Sequence, residues 1–361
     1  MPECRLVRGA KTHQKHIKMT HRFPIKEIAR QAGVGTATVD RVINARAHVS
    51  PQTRARVQAA LDELEQQEAL LAARGRRLFF DFVIEAPTRF SSEVRRAADA
   101  IAPQIGTAVC RSRYVVQETM TEGEVVAALV RIRKRGSHGV CIKARSTDYI
   151  CAAVNDLAAA GIPVVTLVTD LAGTDRVAYV GLDNAGAGNT AAYLLGQSLE
   201  GAYGTVLVTR SRDLFLGEEA REDAFRSALR RVCPNLEVAT IVGGGGRGVE
   251  TSRLIEREVE HLSDLKAVYS VGGANKAMLA ALAHAGLRPK VFVAHDLDAE
   301  NRRLIKSGDI SFVMHHDLRQ DLRNVYAAFL RAHGLSSEPV GPLISDIQVI
   351  TPANIPQEIR A

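Results

Sequence analysis

From Phe79 onward, short β-rich runs alternate with helix-length segments, and that alternation constrains the fold more than any other feature of the chain. The runs are FFDFVIEA at 79–86, HGVCIKA at 138–144, IPVVTLV at 162–168 and VAYVGLD at 177–183, with helices expected near 91–105 and 147–160. The cycle resumes with GTVLVTR at 204–210, EVATIVG at 237–243, AVYSVGG at 267–273 and KVFVAHD at 290–296, with helices expected near 217–231, 248–262 and 274–285. Near-continuous apolar strands joined through helices are buried on both faces. They predict an α/β unit of two parallel sheets with helices on both faces. Small ligands bind such sheets outside the carboxyl ends of the strands, so the informative residues follow each run.

Residues 25 to 64 have a different period. Ile25, Ile28, Ala29 and Ala32 recur at helical spacing and predict a short helix with one buried face, stopped by Gly33. Thr36 is the expected N-cap of a second helix whose inward side is Val39, Val42 and Ile43. Its outward side offers Thr36, Ala37, Asp40 and Arg41, as a recognition helix offers its first residues to base edges in the major groove; Arg41 suits guanine. Ser50-Pro51 opens a third helix with Val57, Ala60, Leu61 and Leu64 inward. An ordinary helical hairpin has the same spacing. Charge favours the DNA-reading alternative: residues 1–78 hold 15 Lys and Arg against 7 Asp and Glu, and the remaining residues hold 32 against 33.

This stretch resembles the DNA-binding headpiece of the LacI/GalR family of bacterial transcription repressors. The resemblance runs through Glu27-Ile28-Ala29, Ala32-Gly33-Val34, Ala37-Thr38-Val39, Arg41-Val42-Ile43-Asn44 and Val49-Ser50-Pro51-Gln52-Thr53-Arg54. It implies that Thr36, Ala37 and Arg41 face bases while Thr38, Asn44, His48 and Thr53 lie on the phosphate backbone. Asp40 replaces the family's usual serine. A carboxylate in a recognition helix repels phosphate unless Arg41 or a cytosine amino group pairs with it.

The residues after the strands are polar in a few places: Thr88-Arg89-Phe90, Lys143 to Ser146, Thr169-Asp170, Asp183-Asn184, Arg210 to Asp213 with Arg221, Gly272 to Asn275, His295-Asp296 and His315-His316-Asp317. Singly, each is also explained as a helix cap or a solvated charge. Together with Gly161-Ile162-Pro163-Val164-Val165, Gly181-Leu182-Asp183-Asn184, Glu219-Ala220-Arg221 and Val293-Ala294-His295-Asp296, they resemble the effector domain of the same family, which shares the fold of periplasmic sugar-binding proteins. The resemblance implies that Arg221 and Asp296 hold sugar hydroxyls, with Phe90 against the ring and His315 contributing; Arg89, Thr169, Asp183 and Asn275 complete the expected effector set. Where many members have Asn-Asp, this chain has Gly272-Gly273, and Asn275 is the expected substitute.

Gly243-Gly244-Gly245-Gly246-Arg247-Gly248 satisfies the spacing GxGxxG after a strand and before a helix, the dinucleotide fingerprint. It lies in the middle of the chain, and no acidic residue ends the next strand, so a flexible glycine turn is the competing explanation. No nucleophile triad, carboxylate pair or metal spacing stands out. No catalytic residue, cofactor or metal is therefore expected. His13 and His16 lack a matching pair of ligands, and the five cysteines (Cys4, Cys110, Cys141, Cys151, Cys233) show no CxxC spacing, as expected of buried thiols. With no apolar run long enough for a membrane span or a signal peptide, a cytoplasmic protein is expected.

The expected organisation is a disordered basic tail (1–20), an all-α three-helix headpiece (21–64), a hinge or linker (65–78), a bilobed effector-binding and dimerisation domain (79–350) and a C-terminal tail (351–361). Family members usually begin just before the first helix, so Met19 is an alternative start. The family's hinge pattern Tyr-x-Pro-Asn is absent from 65–78, where Leu70 or Leu71 as a wedge, Arg74, Arg76 and Arg77 as minor-groove cations, or a plain linker are the alternatives. The resemblance implies a homodimeric regulator, a repressor, on a pseudo-palindromic operator, switched allosterically by a sugar-like small molecule. The alternatives are a DNA-binding regulator whose effector site has decayed and, less favoured, a nucleotide-dependent enzyme.

Overall fold

The computed structural model describes residues 22–73, 76–258, 262, 264–336 and 343–356. They form two compact units that divide between Leu71 and Ala72.

The first unit has three helices: α1 (Ile25–Ala32), α2 (Thr36–Ile43) and α3 (Pro51–Ala73). Phe23, Ile28, Ala29, Ala32, Val39, Val57, Ala60 and Leu64 make its core, with Val34, Val42, Ile43 and Leu61 packed against them. Ile25, expected inside, is 36% exposed, and Phe23 fills the core instead. The N-cap of α2 is Gly35 rather than Thr36, which begins the helix. The Ser50 side chain accepts the Thr53 backbone N–H at 3.1 Å, as expected of an N-cap. Arg56 on α3 donates to the carbonyls of Ala32 and Gly33 at 2.8 and 3.2 Å, meeting acceptors that α1 leaves open at its end. The helix expected to stop near Leu64 runs on to Ala73, so most of the segment expected as a linker is helical. The side chains of Leu70 and Leu71, and all of Arg74, lie outside the described residues, as do Cys4, His13, His16 and Met19.

The second unit begins with β1 (Arg77–Glu85), α4 (Thr88–Ile101), β2 (Val109–Gln117), α5 (Glu122–Arg135), β3 (Gly139–Lys143), α6 (Asp148–Ala159), β4 (Val164–Leu167) and β5 (Ala178–Leu182). The chain continues through α7 (Asn184–Ser198), β6 (Gly204–Arg210), α8 (Leu216–Val232), β7 (Leu236–Val242), α9 (Gly248–Glu258), β8 (Leu265–Ser270), α10 (Asn275–His284) and β9 (Val291–His295). It ends with α11 (Ala299–Ser307), β10 (Phe312–His315), α12 (Leu318–Ala332), β11 (Ile344–Ser345) and β12 (Gln348–Ile350). Lobe 1 is built on the sheet β11-β5-β4-β3-β1-β2, and lobe 2 on β12-β10-β9-β8-β6-β7. Every pairing is parallel except β10 with β12. The strand β2 and the helix α5 escape a search for apolar runs, because edge strand β2 alternates with Arg111 and Arg113 and leaves them partly exposed.

The chain passes between lobes where β5 leads into α7, where β10 leads into α12, and where β11 leads into β12. Helix α7 packs on α8 in lobe 2, and α12 packs on α4 and β5 in lobe 1. Cys110, Cys141 and Cys233 are buried free thiols, with their pKa values raised by burial, that of Cys110 to about 11. Among the described residues no helix is long and apolar enough to cross a membrane, and no cluster of three or more His, Cys, Asp and Glu could hold a metal.

Candidate functional site

Two surfaces carry candidate chemistry. On the headpiece, Thr36, Ala37, Arg41, Asn44 and His48 are exposed, and Thr38 and Thr53 are half-buried. Asp40 is neutralised without Arg41: it pairs with Arg46 at 3.0 Å and accepts the Asn44 side-chain amide at 2.8 Å. That leaves the Arg41 guanidinium free of the carboxylate beside it, and Arg46 is a contributor that sequence reasoning missed. Its spacing of six residues crosses a helix end, where no periodic rule applies.

The second surface is the cleft between the lobes of the larger unit. Loops at the carboxyl ends of β1, β3 and β4 face those following β6, β7, β8 and β9 around an open cavity. Arg89, Phe90, Thr169, Arg221 and Asp296 from the expected set line it. Glu85, Glu118, Lys143, Arg212, Phe215, Glu218 and His295 line it as well, outside that set. Glu85 was legible in principle as a lone carboxylate ending an apolar strand just before Ala86-Pro87.

Arg221 comes from α8 and is 5% exposed. Its Nε donates to Asn184 Oδ1 at 2.7 Å, and Asn184 in turn donates to the Val168 carbonyl and the Tyr179 hydroxyl. Held at one edge by this neutral amide, the guanidinium keeps its charge for the cavity. Across from it, Asp296 is positioned by a backbone in the left-handed region, φ 66°, and by its backbone N–H, which donates to the Met314 carbonyl at 2.9 Å. Its Oδ1 lies 3.7 Å from His316 Nε2, while His316 Nδ1 lies 2.6 Å from Asp321 Oδ2. Burial opposes the charge on His316, but Asp321 and then Asp296 outweigh it and raise the imidazole pKa above its ordinary range. Ser345, on the crossing between β11 and β12, donates its hydroxyl to Asp321.

Buried charges elsewhere in the wall are internally matched. Glu85, 1% exposed, pairs with Arg145 at 3.3 Å and with Arg212 at 3.0 Å. Lys143 has its pKa lowered by burial and Glu218 has its pKa raised by burial, each opposed by the other's charge. Lys143 Nζ also lies 4.2 Å from the Phe215 ring centroid and 5.7 Å from that of Phe90. His295 is buried against the Tyr269 hydroxyl at 2.9 Å and is kept neutral by burial, reinforced by Arg221 and His316.

Three expected effector residues do not line this cavity. Asp183 caps α7, accepting the Gly186 N–H at 2.9 Å. Asn275 is 2% exposed, and its amide accepts from the Ser270 hydroxyl and donates to Asn301 Oδ1, so it is spent inside lobe 2. His315 lines a neighbouring chamber with Leu297, His316 and Leu318; burial pushes its pKa down to about 4. The glycines at 243–246 take positive φ throughout and form a tight turn against Gly272 and Thr251.

Residues 82–328 match the family model described as the periplasmic binding protein domain. The chain belongs to that family. Residues 24–66 match the model for bacterial regulatory proteins of the lacI family, so this periplasmic binding protein domain carries a LacI-type DNA-binding headpiece, the architecture of a LacI-type regulator. Among solved structures the domain is similar to GanP, a glucose-galactose binding protein from Geobacillus stearothermophilus, at 20% identity and a TM-score of 0.69, covering 78% of this chain and 100% of that one. A solute binding protein from Burkholderia graminis, in complex with D-arabinose, aligns at 18% identity and 0.69 over 77% and 96% of the two chains. A protein from Bacteroides fragilis assigned as a LacI transcriptional regulator aligns at 15% and 0.68 over 77% and 98%. At these identities the likeness establishes the fold. Comparison with curated proteins returned no match.

Proposed function

We propose that this regulator binds a pseudo-palindromic operator as a cytoplasmic homodimer and is switched by an uncharged, polyhydroxylated molecule of about one sugar ring. The observation that carries the reading is the convergence of Arg221 and Asp296 on one cavity, each held by a second residue and each with capacity left for a ligand. A guanidinium donating and a carboxylate accepting across adjacent hydroxyls, with Phe90 and Phe215 offering apolar faces, suits a polyol. Charge supports a neutral ligand. The cavity is lined by four cations (Arg89, Lys143, Arg212, Arg221) and four carboxyl groups (Glu85, Glu118, Glu218, Asp296), so a phosphate or carboxylate would meet as many repelling groups as attracting ones. The solved relatives named for glucose, galactose and arabinose are consistent with that class.

Switching follows from linkage. A ligand that touches both lobes favours one lobe angle, and only its differential affinity for the two angles can shift the affinity for DNA. In the headpiece, Thr36, Ala37 and Arg41 read bases, and Thr38, Asn44, His48 and Thr53 take phosphates.

The test is thermal stabilisation by a panel of pentoses, hexoses, polyols, sugar acids and sugar phosphates, followed by operator binding with each hit. A ligand at about 100 times its Kd adds about 2.7 kcal/mol. Stabilisation by a neutral sugar or polyol that also changes operator affinity supports the reading. Silence across the panel, with operator binding intact, overturns it in favour of a regulator with a decayed effector site.

A further inference from the structure

Arg89 belongs to α4 of lobe 1, yet its guanidinium binds groups of lobe 2. Its Nη1 donates to the Gly246 carbonyl at 2.7 Å, its Nη2 reaches the Gly272 carbonyl at 3.5 Å, and its Nε lies 3.1 Å from Asp298 Oδ2. These partners sit on three separate loops, after β7, β8 and β9. Asp298 is 8% exposed, and its other oxygen accepts the Asn301 N–H at 2.8 Å, so it is fixed before Arg89 arrives.

The receptacle exists because side chains are missing from it. A Cβ on Gly273 would stand 1.8 Å from Arg89 Nη2 and 2.8 Å from Cζ, where φ is +83°. A Cβ on Gly246 would stand 2.7 Å from the Gly272 carbonyl and 2.8 Å from Pro87 Cγ. Gly273 therefore makes room for an arginine from the opposite lobe, and Gly246 lets its own loop lie against Gly272 and Pro87 beside that arginine. The Arg89 side chain also borders both chambers of the cleft, the cavity with Arg221 and the chamber with His315 and Leu318.

We propose that Arg89 is a specificity-determining latch, which joins the lobes and walls one chamber from the other so that the cleft accepts a single ring. The joining depends only on this geometry; the size limit rests on the effector reading above. Charge-assisted bonds to three loops give the joined arrangement a stability that α4 alone does not supply, and a ligand then enters a cleft whose lobes are already near each other. Removing the guanidinium, which lines both chambers, is expected to join them and to admit a second ring.

The experiment reads the two parts separately on the full chain. Azidophenylalanine at the exposed positions Tyr149 in lobe 1 and Tyr203 in lobe 2 carries spin labels, and the interlobe distance distribution is measured without ligand, with labelled chains diluted in unlabelled ones. Arg89→Ala and Gly273→Ala are both expected to broaden and lengthen the distribution, and the double variant is expected to match Arg89→Ala, because the clash has lost its partner. An Arg89→Ala distribution equal to that of the parent overturns the latch, whether or not Gly273→Ala folds. In parallel, thermal shifts with arabinose, glucose and galactose are compared with those from maltose and cellobiose. Arg89→Ala is expected to gain at least 10-fold in disaccharide affinity relative to monosaccharide. No gain overturns the size limit. Silence of both proteins to every sugar overturns the effector reading and the size limit together, and leaves the distance measurement to decide the latch.

Discussion

Gly188→Ala tests whether the packing of lobe 2 sets the position of Arg221. Gly188 lies in α7 where it crosses α8, and an added Cβ would stand 2.1 Å from the Arg221 carbonyl oxygen and 2.9 Å from the Phe225 nitrogen. Non-bonded carbon does not approach backbone oxygen that closely, so the helices must part. In an unconstrained helix the same substitution stabilises by about 0.5–1 kcal/mol, because alanine has less backbone entropy to lose. Overpacking of a core costs about 1–3 kcal/mol. Here the obstacle is backbone on a helix whose own face buries Phe225, Ala228 and Leu229, so the clash wins, with a net loss on the order of 1–2 kcal/mol. Differential scanning calorimetry should show Tm falling by roughly 2–4 °C per kcal/mol. Gly196→Ala in the same helix is the control: its Cβ meets Val232 Cγ2 at 3.1 Å, and Val232 is 51% exposed and free to turn away, so its Tm is expected to hold or rise slightly. Stabilisation by sugar should weaken in Gly188→Ala, since the displaced atom belongs to Arg221 itself. A Gly188→Ala Tm equal to or above that of Gly196→Ala would refute the close approach.

Three other outcomes are expected. Arg41→Ala should cost about 1–3 kcal/mol of operator discrimination in competition assays, leaving the sugar-induced Tm shift intact. Asp296→Asn should weaken effector affinity by about 10- to 100-fold in calorimetric titration through loss of a charge-assisted bond, with operator binding preserved in ligand-free protein. His316 makes the cleft pH-dependent. Its folded pKa is raised, so its contribution to stability is fully present below the ordinary imidazole range and is lost as pH rises through the raised value. Effector affinity should decline over that same window as Asp296 loses its cationic neighbour, and His316→Gln should flatten the profile; a profile unchanged by the substitution would remove His316 from the site. His315, pushed down to about 4, stays neutral across that window and does not contribute.

Much of the molecule was legible in local pattern. Apolar runs located β1, β3 to β9 and most of their helices, because strands buried on both faces are nearly all apolar. Helical periodicity and charge located the headpiece, and the family resemblance pointed to Arg221 and Asp296, which both line the cleft. What failed locally did so for identifiable reasons. The edge strand β2 carries arginines, and α3 continues through a polar stretch that no capping residue interrupts. Asp183 and Asn275 have the residue types of ligand contacts but are used as a helix cap and a buried amide.

The sequence by itself determined most of the strands and helices, the basic three-helix headpiece, and the strand ends at which a ligand could lie, because burial period and capping are properties of neighbours in the chain. Only the tertiary structure decided which of those ends meet. Arg89 finds Gly246 and Gly272 at separations of 157 and 183 residues, and Glu85 finds Arg212 at 127. Such pairings depend on how two sheets face each other, and a glycine that exists to leave room for a distant arginine looks, in sequence, like any other glycine in a turn.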